Sequence, residues 1–435
     1  MPLLNAPDLN VSTLGPATHP SPLPAAQMLR LADESGPNTT DRLLYHDTLR
    51  ALQALPKDQT PPSFEVAGAW PELYFYPAST RAGIVTCGGL CPGLNDVIRG
   101  LVMVLHHRYQ VTQIDGYRYG YEGLNPSFGH TPLELTPDVV ESIHKDGGTI
   151  LGSSRGPQDI DTMLDYLVER EINILFTIGG DGTQRGALAL SQAARQRGLS
   201  IAIVGIPKTI DNDISYVEQS FGFQTAFTRA YAAIETAHNE ARAARQGIGL
   251  VKLMGRHSGF IAAYACLASN DANYCLIPEV SVPLDGDNGL LHHLKQRLDR
   301  RGHAVIVVAE GFGQEHLQPT GTDRSGNKKL ADIGPYLIDR IKQTIPDSAI
   351  KYVDPSYLIR GLPSTPHDSV LCFRLAAYAV HAAMAGRTEM IVGKWHGRYL
   401  NIPIPAAIAK RQQVNPQGEL WFSVLEATGQ PRWGL

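Results

Sequence analysis

Cysteine is scarce in this chain: there are five in 435 residues, Cys87, Cys91, Cys266, Cys275 and Cys372. So few, and an odd number, argue against a disulfide framework and for reduced thiols of a cytosolic protein. Cys87 and Cys91 flank a Gly-rich turn, but no nearby second pair would complete a metal site, so they read as small turn residues. No apolar run reaches the length of about 18 residues that a membrane-spanning helix needs. The amino terminus lacks a basic region followed by an apolar core, which argues against a signal peptide. A cytoplasmic protein is expected. The net charge is only −4, which gives no bulk attraction to nucleic acid or to an anionic membrane. Neither is an expected partner. No short-period repeat is visible.

What is present is an ordinary globular composition, 43% hydrophobic and 18% charged. The length allows about three domains, or two large ones and an arm. Residues 1–40 are rich in Pro, Ser, Thr and Asn and read as a flexible arm. Tyr45, Leu49 and Leu52 have helical spacing, which predicts a short docking helix within 41–55 that Pro56 ends. From Arg81 the pattern alternates strand and helix. Strands are expected at Ala82–Thr86, Val111–Asp115, Ile172–Ile178, Ile201–Ile206, Ile248–Leu253, Tyr274–Pro278 and His303–Ala309. Helices are expected over Asn95–His107, Thr136–Asp146, Gln184–Gln196, Gln224–Ala244, Ser258–Ala268 and Asn288–Arg301. Such alternation makes an α/β protein with parallel sheets covered by helices on both faces. The units outnumber one comfortable sheet, so two lobes with a crevice between them are expected.

Two segments concentrate the chemistry. Ile178-Gly179-Gly180-Asp181-Gly182-Thr183 follows one apolar run, and Pro207-Lys208-Thr209-Ile210-Asp211-Asn212-Asp213 follows another. Both put acidic residues at the carboxyl end of an expected strand, where open α/β sheets hold ligands. A glycine turn lets backbone N–H groups approach phosphate, and an adjacent Asp can hold Mg²⁺. The pair reads as machinery for phosphoryl transfer. Three further segments join them: Thr86-Cys87-Gly88-Gly89-Leu90-Cys91-Pro92-Gly93-Leu94-Asn95, Met254-Gly255-Arg256-His257-Ser258-Gly259 and Ala309-Glu310-Gly311.

With these five segments in this order, the chain resembles the 6-phosphofructokinases. It is most similar to the branch that is related to pyrophosphate-dependent enzymes but includes ATP-dependent members of plants, protists and some bacteria. The resemblance runs from about Arg81 to at least Asn401. It implies two Rossmann-like three-layer αβα lobes with an N-terminal arm: the arm over 1–80, a nucleotide-binding lobe over 81–225 plus 358–400, and a sugar-phosphate-binding lobe over 226–357 plus 401–435. It implies a glycolytic homo-oligomer, dimer or tetramer, that moves the terminal phosphoryl group of a donor to the C1 hydroxyl of fructose 6-phosphate with Mg²⁺. Part of the arm is expected to pack across a subunit boundary.

The resemblance also implies roles. Asp211 is the base on the attacking hydroxyl, Asp213 supports it, and Thr209 touches the sugar or the transferring phosphoryl. Asp181 is the Mg²⁺ ligand. Arg155, in Leu151-Gly152-Ser153-Ser154-Arg155-Gly156, stabilises the phosphoryl oxygens with its fork of donors. Gly88, Gly179, Gly180, Gly182, Thr183 and Lys208 complete the donor site. Met254, Gly255, Arg256, Glu310, Tyr357 and Arg360 form the acceptor site, with Arg360 on the 6-phosphate and Tyr357 where many relatives use histidine. Lys351 matches a basic residue that reaches the 6-phosphate from a neighbouring subunit.

Two positions bear on the donor. Gly182 stands where pyrophosphate users usually have Asp, whose charge would crowd and repel the α-phosphate of a nucleotide. Lys208 stands where bacterial ATP enzymes commonly have glycine and pyrophosphate users a phosphate clamp. Steric exclusion is the harder constraint, since a lysine can bend aside, so ATP is expected. The alternatives are a reversible pyrophosphate-dependent enzyme, an NAD or lipid kinase sharing only the GGDGT turn, and a non-catalytic regulatory subunit. Gly247 and Asn273 replace an arginine and a glutamate used by many bacterial enzymes for a cross-subunit phosphate contact and for effector binding. Their usual allosteric regulation therefore does not transfer. The insert Gln314–Lys329 is expected as a mobile loop or a surface excursion.

Overall fold

The computed structural model describes residues 8–23, 42–56, 60–318, 321 and 329–434. The chain divides into two compact units. The first holds the described residues up to Thr209, then Ile214–Phe221 and Pro363–Lys410. The second holds Ile210–Asp213, Gly222–Leu362 and the described residues from Arg411 onward. Among the described residues no helix is long and apolar enough to cross a membrane.

The first unit is built on a nine-stranded mixed sheet. Its order is Arg42–Leu44, Ser63–Val66, Arg398–Pro403, Met390–Trp395, Ala202–Pro207, Ile174–Gly179, Arg81–Thr86, Gln113–Tyr117 and Leu133–Glu134. The five strands from Met390–Trp395 to Gln113–Tyr117 run parallel, and the outer ones are antiparallel. Ile174–Gly179 and Ala202–Pro207 are buried at every position, as strands covered on both faces must be. After Arg81–Thr86 the chain forms helix Leu94–Tyr109 and pairs next as Gln113–Tyr117. After Ile174–Gly179 it forms helix Asp181–Gln196 and pairs on the opposite side as Ala202–Pro207. The ends of Arg81–Thr86 and Ile174–Gly179 therefore make a topological switch point, where such sheets bind ligands.

The second unit has a four-stranded, wholly parallel sheet in the order Tyr274–Leu276, His303–Ala309, Gly247–Leu253, Ala349–Val353. Its central pair also sends the chain opposite ways. Gly247–Leu253 leads through helix Phe260–Ser269 to Tyr274–Leu276, and His303–Ala309 leads through helix Ile333–Thr344 to Ala349–Val353. The long helix Phe223–Ala243 packs on this sheet through Ile234, Ala237 and Ala241, all fully buried.

The observed boundaries differ from the expected lobes. Arg42–Leu44 and Ser63–Val66 do not stand apart as an arm: they extend the large sheet, with Phe64 completely buried. Residues 1–7, 24–41 and 57–59 of the expected arm lie outside the described residues. Ser12–Thr13 pairs with Arg387–Thr388, and His19–Pro20 with Glu72–Leu73. The docking helix is shorter than expected, Leu49–Gln53, started by the Thr48 hydroxyl accepting from the Ala51 N–H at 3.4 Å. Tyr45 instead follows a strand and packs its ring against Phe64, Tyr216 and Trp395.

The helix expected over Thr136–Asp146 is absent; only a single 3₁₀ turn, Ile143–Lys145, forms there. Thr136 does accept from the Val139 N–H at 3.3 Å, but a start signal alone cannot propagate a short helix through β-branched Val139 and Val140. A helix outside the alternation read from the sequence, Ile160–Glu169, is capped by Asp159, whose carboxylate accepts from the Thr162 N–H at 2.8 Å.

Gly247 shows why an arginine is impossible at its position: a Cβ there would lie 2.0 Å from the Ala241 carbonyl oxygen. Asn273 is committed to the sheet, with its N–H donating to the Val305 oxygen and its side-chain oxygen accepting from the Val305 N–H, both at 2.9 Å. Gly247→Ala should destabilise the protein by about 1–3 kcal/mol; an unchanged urea midpoint would show that the helix end yields freely.

Candidate active site

At the switch point of the large sheet, glycines let two turns close on each other. The Cys87 N–H donates to the Ile178 oxygen at 2.9 Å, and the Gly88 N–H to the Ser154 oxygen at 3.0 Å. Ser153 Oγ donates back to the Gly88 oxygen at 2.6 Å. Gly88 has φ +83, the left-handed region where a side chain is strained. This ladder holds the 151–156 loop, and with it Arg155, beside the first glycine turn. Arg155 is exposed. Gly179 packs on Thr183 so closely that a Cβ would fall 2.1 Å from the threonine hydroxyl. Thr183 is thereby turned inward and buried, and its carbonyl accepts from the Tyr121 hydroxyl at 2.7 Å.

Gly180 is the N-cap of helix Asp181–Gln196, so Asp181 and Gly182 occupy its first turn. That helix end presents backbone N–H groups and positive dipole to an anion. Asp181 forms an i,i+4 pair with Arg185 at 3.2 Å. An exposed pair of this kind is worth only about 0.3–0.5 kcal/mol, so it would not withhold the carboxylate from a divalent cation. A Cβ on Gly182 would meet nothing within 4 Å. Lys208 is buried. Its N–H donates to the Gly179 oxygen at 3.0 Å, and its ammonium donates to the Gly89 carbonyl. The ammonium would stand 3.5 Å from a Cβ on Gly88. The lysine charge therefore sits at the glycine turn. Thr209 follows, its carbonyl accepting from the Ser220 hydroxyl. Cys87 lies in the same turn, but burial pushes its thiol up to about 12, which removes it as a nucleophile.

The second unit gathers the other set. Asp211 and Asp213 flank Asn212, a left-handed residue at φ 55. The Asp211 carbonyl accepts from the Ser258 hydroxyl at 3.3 Å, and the Asp213 carbonyl from the Gln412 N–H at 2.9 Å. Asp211 is pushed up to about 8, first by burial and then by the charges of Asp213 and Glu310; a hydrogen bond from the Arg256 backbone and the Arg411 charge oppose this. Asp213 faces Arg411 at 3.9 Å.

Two turns at adjacent strand ends carry the remaining groups. Met254, Gly255 and Arg256 follow Gly247–Leu253, while Glu310 follows His303–Ala309. The Glu310 N–H donates to the Leu253 oxygen at 2.9 Å and the Gly311 N–H to the Gly255 oxygen at 3.0 Å. A Cβ on Gly311 would stand 2.1 Å from the Arg256 oxygen, so only glycine fits. Burial raises Glu310, and the charges of Lys252, Arg256 and Arg360 pull it back. Tyr357 and Arg360 share the short helix Ser356–Arg360, with the guanidinium 5.0 Å from the ring centre. Lys351 does not join this cluster. It pairs in register with Gly249, four residues before the strand end at Leu253, and forms an ion pair with Glu240 at 3.5 Å.

A family model described as "Phosphofructokinase" matches residues 81–383. The chain belongs to the phosphofructokinase family. A protein of Amycolatopsis methanolica described as "ATP-dependent 6-phosphofructokinase" is 50% identical over 98% of this chain and 96% of its own length. One of the same description from Trypanosoma brucei brucei is 45% identical over 97% of this chain and 87% of its own. A crystal structure of a pyrophosphate-dependent phosphofructokinase from Marinobacter aquaeolei superimposes with a TM-score of 0.67 at 19% identity, covering 80% of this chain and 91% of that one. At that identity the likeness is one of fold.

Sequence reading passed over two groups here. Lys252 is a charged residue inside an otherwise apolar strand, which was its visible signal. Glu279 accepts from the N–H groups of Gly259, at 2.9 Å, and Val414, at 2.8 Å, and nothing in its local sequence marks it. A carboxyl raised in the fold makes the native state bind more protons than the unfolded chain, so its contribution to stability falls as pH rises from its ordinary value of 3.8 to about 8. Asp211→Asn should therefore be more stable than wild type, by about 1–3 kcal/mol at pH 8, and the margin should shrink toward pH 5. Denaturant titrations at the two pH values check this, and a pH-independent margin would contradict it.

Proposed function

We propose that this chain is an ATP-dependent 6-phosphofructokinase, transferring the terminal phosphoryl group of ATP to the C1 hydroxyl of fructose 6-phosphate to give fructose 1,6-bisphosphate. The observation that carries the reading is Asp211: a carboxylate raised to about 8, in the same unit as Arg256, Glu310 and Arg360. A base needs a pKa near the working pH, and burial among like charges supplies it.

The acceptor is held by the second unit. Arg360 pairs with the 6-phosphate, Tyr357 donates its hydroxyl to the same group, and Glu310 accepts from sugar hydroxyls. Arg256 and the Met254–Gly255 turn complete the cradle. Asp211 takes the proton of the C1 hydroxyl, and Asp213 keeps the turn in place. The donor is held by the first unit. The N-terminal turn of helix Asp181–Gln196 offers backbone N–H groups to the phosphates, Gly88 lets the phosphate chain approach closely because it has no side chain, and the Lys208 and Arg155 charges offset those of the phosphoryl oxygens. Asp181 suits Mg²⁺, which commonly takes one or two carboxylates and fills its remaining positions with water and substrate phosphate. Bound there, the ion neutralises phosphate charge. The open space beyond Gly182 leaves room for a nucleotide α-phosphate, which favours ATP over pyrophosphate.

The pyrophosphate-dependent reading is favoured by one observation, the ammonium of Lys208 at the glycine turn, where it suits a compact phosphate. In the reading as a homo-oligomer, Lys351 reaches the 6-phosphate of a neighbouring subunit, which accords with its distance along the strand from the chain's own cluster. A cytoplasmic location accompanies this reading.

Asp211→Asn should lower kcat by about three orders of magnitude or more while leaving KM for fructose 6-phosphate within a few-fold, because the base acts mainly in the transition state. Near-normal turnover would remove Asp211 as base. Arg360→Ala should raise KM for the sugar phosphate about tenfold or more, and an unchanged KM would remove it from the site. In the wild type, kcat/KM should rise with pH through about 8, as the Asp211 carboxyl loses its proton; a flat profile from about pH 6.5 to 9 would contradict the assignment.

A further inference from the structure

Lys252 lies in the strand Gly247–Leu253, whose other residues are apolar and buried. Its side chain is only 12% exposed. The ammonium contacts Asp354 at 2.8 Å and Asp332 at 3.0 Å. Each carboxylate lies at or just ahead of the start of another element. Asp354 Oδ1 accepts from the Ser356 N–H at 3.1 Å and from the Ser356 hydroxyl, a turn that leads into the helix Ser356–Arg360, whose N-cap is Pro355. Asp332 accepts from the Gly334 N–H at 3.1 Å and caps helix Ile333–Thr344. It also accepts from the Tyr352 hydroxyl at 3.3 Å.

Apart from this turn, the helix Ser356–Arg360 is held by packing on the long helix Phe223–Ala243 and by one buried side chain. It is five residues long, Tyr357 is 84% exposed and Leu358 73%; only Ile359 is buried. Such a segment is marginal unless anchored. Burial alone would pull the Lys252 ammonium down, but hydrogen bonds to Asp354 and Asp332 outweigh it and keep the group charged. The same positive charge helps keep Glu310 ionised. One largely buried cation thus binds Asp354, ahead of the helix that carries Tyr357 and Arg360, and Asp332, at the start of helix Ile333–Thr344, while its charge acts on Glu310.

We infer that Lys252 is the positioning residue of the acceptor site: through Asp354 it fixes the short helix that presents Tyr357 and Arg360 to the sugar phosphate. The inference rests on the reading of those two residues as sugar-phosphate ligands. A cation of this reach is required, since a neutral side chain would leave Asp332 and Asp354 without a counter-ion.

Steady-state kinetics on the full chain tests this, with fructose 6-phosphate and ATP varied in turn. Lys252→Met should raise KM for fructose 6-phosphate about tenfold, leaving KM for ATP and kcat at saturating sugar phosphate within about twofold. Lys252→Arg, which keeps the charge, should recover most of the loss. Asp354→Asn, which keeps an acceptor for Ser356, should move KM in the same direction and carries the test if Lys252→Met does not fold. An unchanged KM for the sugar phosphate in Lys252→Met and Asp354→Asn would overturn the role, as would a parallel rise in KM for ATP. Wild-type turnover of fructose 6-phosphate tests the underlying reading separately: if it is absent, the acceptor assignment falls, whereas a present wild-type activity with silent variants removes Lys252 alone.

Discussion

The candidate site depends on how closely the chain packs on its own glycines at the carboxyl ends of parallel strands. In the first unit a Cβ on Gly179 would stand 2.1 Å from the Thr183 hydroxyl, and in the second a Cβ on Gly311 would stand 2.1 Å from the Arg256 oxygen. Neither position tolerates a side chain. Because those turns are closed, the amides next to them are fixed and the charged side chains have defined neighbours. Arg155 is placed by a loop whose Ser153 and Ser154 bond the Gly88 turn, and Glu310 by a backbone bond to Leu253. The topology decides where this happens. Each sheet sends its chain in opposite directions from an adjacent pair of strands, and the turns at those pairs carry the groups of interest.

Electrostatics then gives the two units different characters. The first offers an exposed helix start, a lysine and an arginine loop, with a single carboxylate in a weak pair with Arg185. This is an environment for phosphate and a hard cation. The second concentrates carboxylates that resist ionisation: Asp211 and Glu310 are both raised, burial being the first cause for each. Cations face them in turn, with Arg256 and Arg360 pulling Glu310 back and Arg411 opposing the rise at Asp211. Burial without a counter-charge would simply protonate these groups, and cations without burial would hold Asp211 too acidic to accept a proton near neutral pH. Holding Asp211 protonated over much of the physiological range lowers its worth as a base at low pH, which is the compromise the pH profile reads out.

Most of the fold was legible because its central strands are buried on both faces and therefore appear as unbroken apolar runs. His303–Ala309 has the bounds expected from such a run, and Ile174–Gly179 and Ala202–Pro207 lie within two residues of theirs. The misreadings occurred where local signals are shared by helix and turn. Thr136-Pro137 looks like a helix start and gives only a capped turn; Tyr45 has helical spacing with Leu49 but is consumed by an aromatic cluster with Phe64, Tyr216 and Trp395. Of the site, the glycine turns and acidic residues were legible, since both follow apolar runs directly. Long-range links were not: nothing near Lys252 announces Asp332 and Asp354, about 80 and 100 residues on. Nor does the sequence reveal that Thr183 points inward under Gly179, or that Lys208 lies against the Gly89 carbonyl.

Donor choice is the central claim, and initial rates measure it most directly, with fructose 6-phosphate and Mg²⁺ present and ATP or pyrophosphate supplied as donor. The open space beyond Gly182 predicts turnover with ATP and none above background with pyrophosphate. Turnover with pyrophosphate and not ATP would contradict the account, and would mean that the buried Lys208 ammonium, rather than the room beside Asp181, selects the donor.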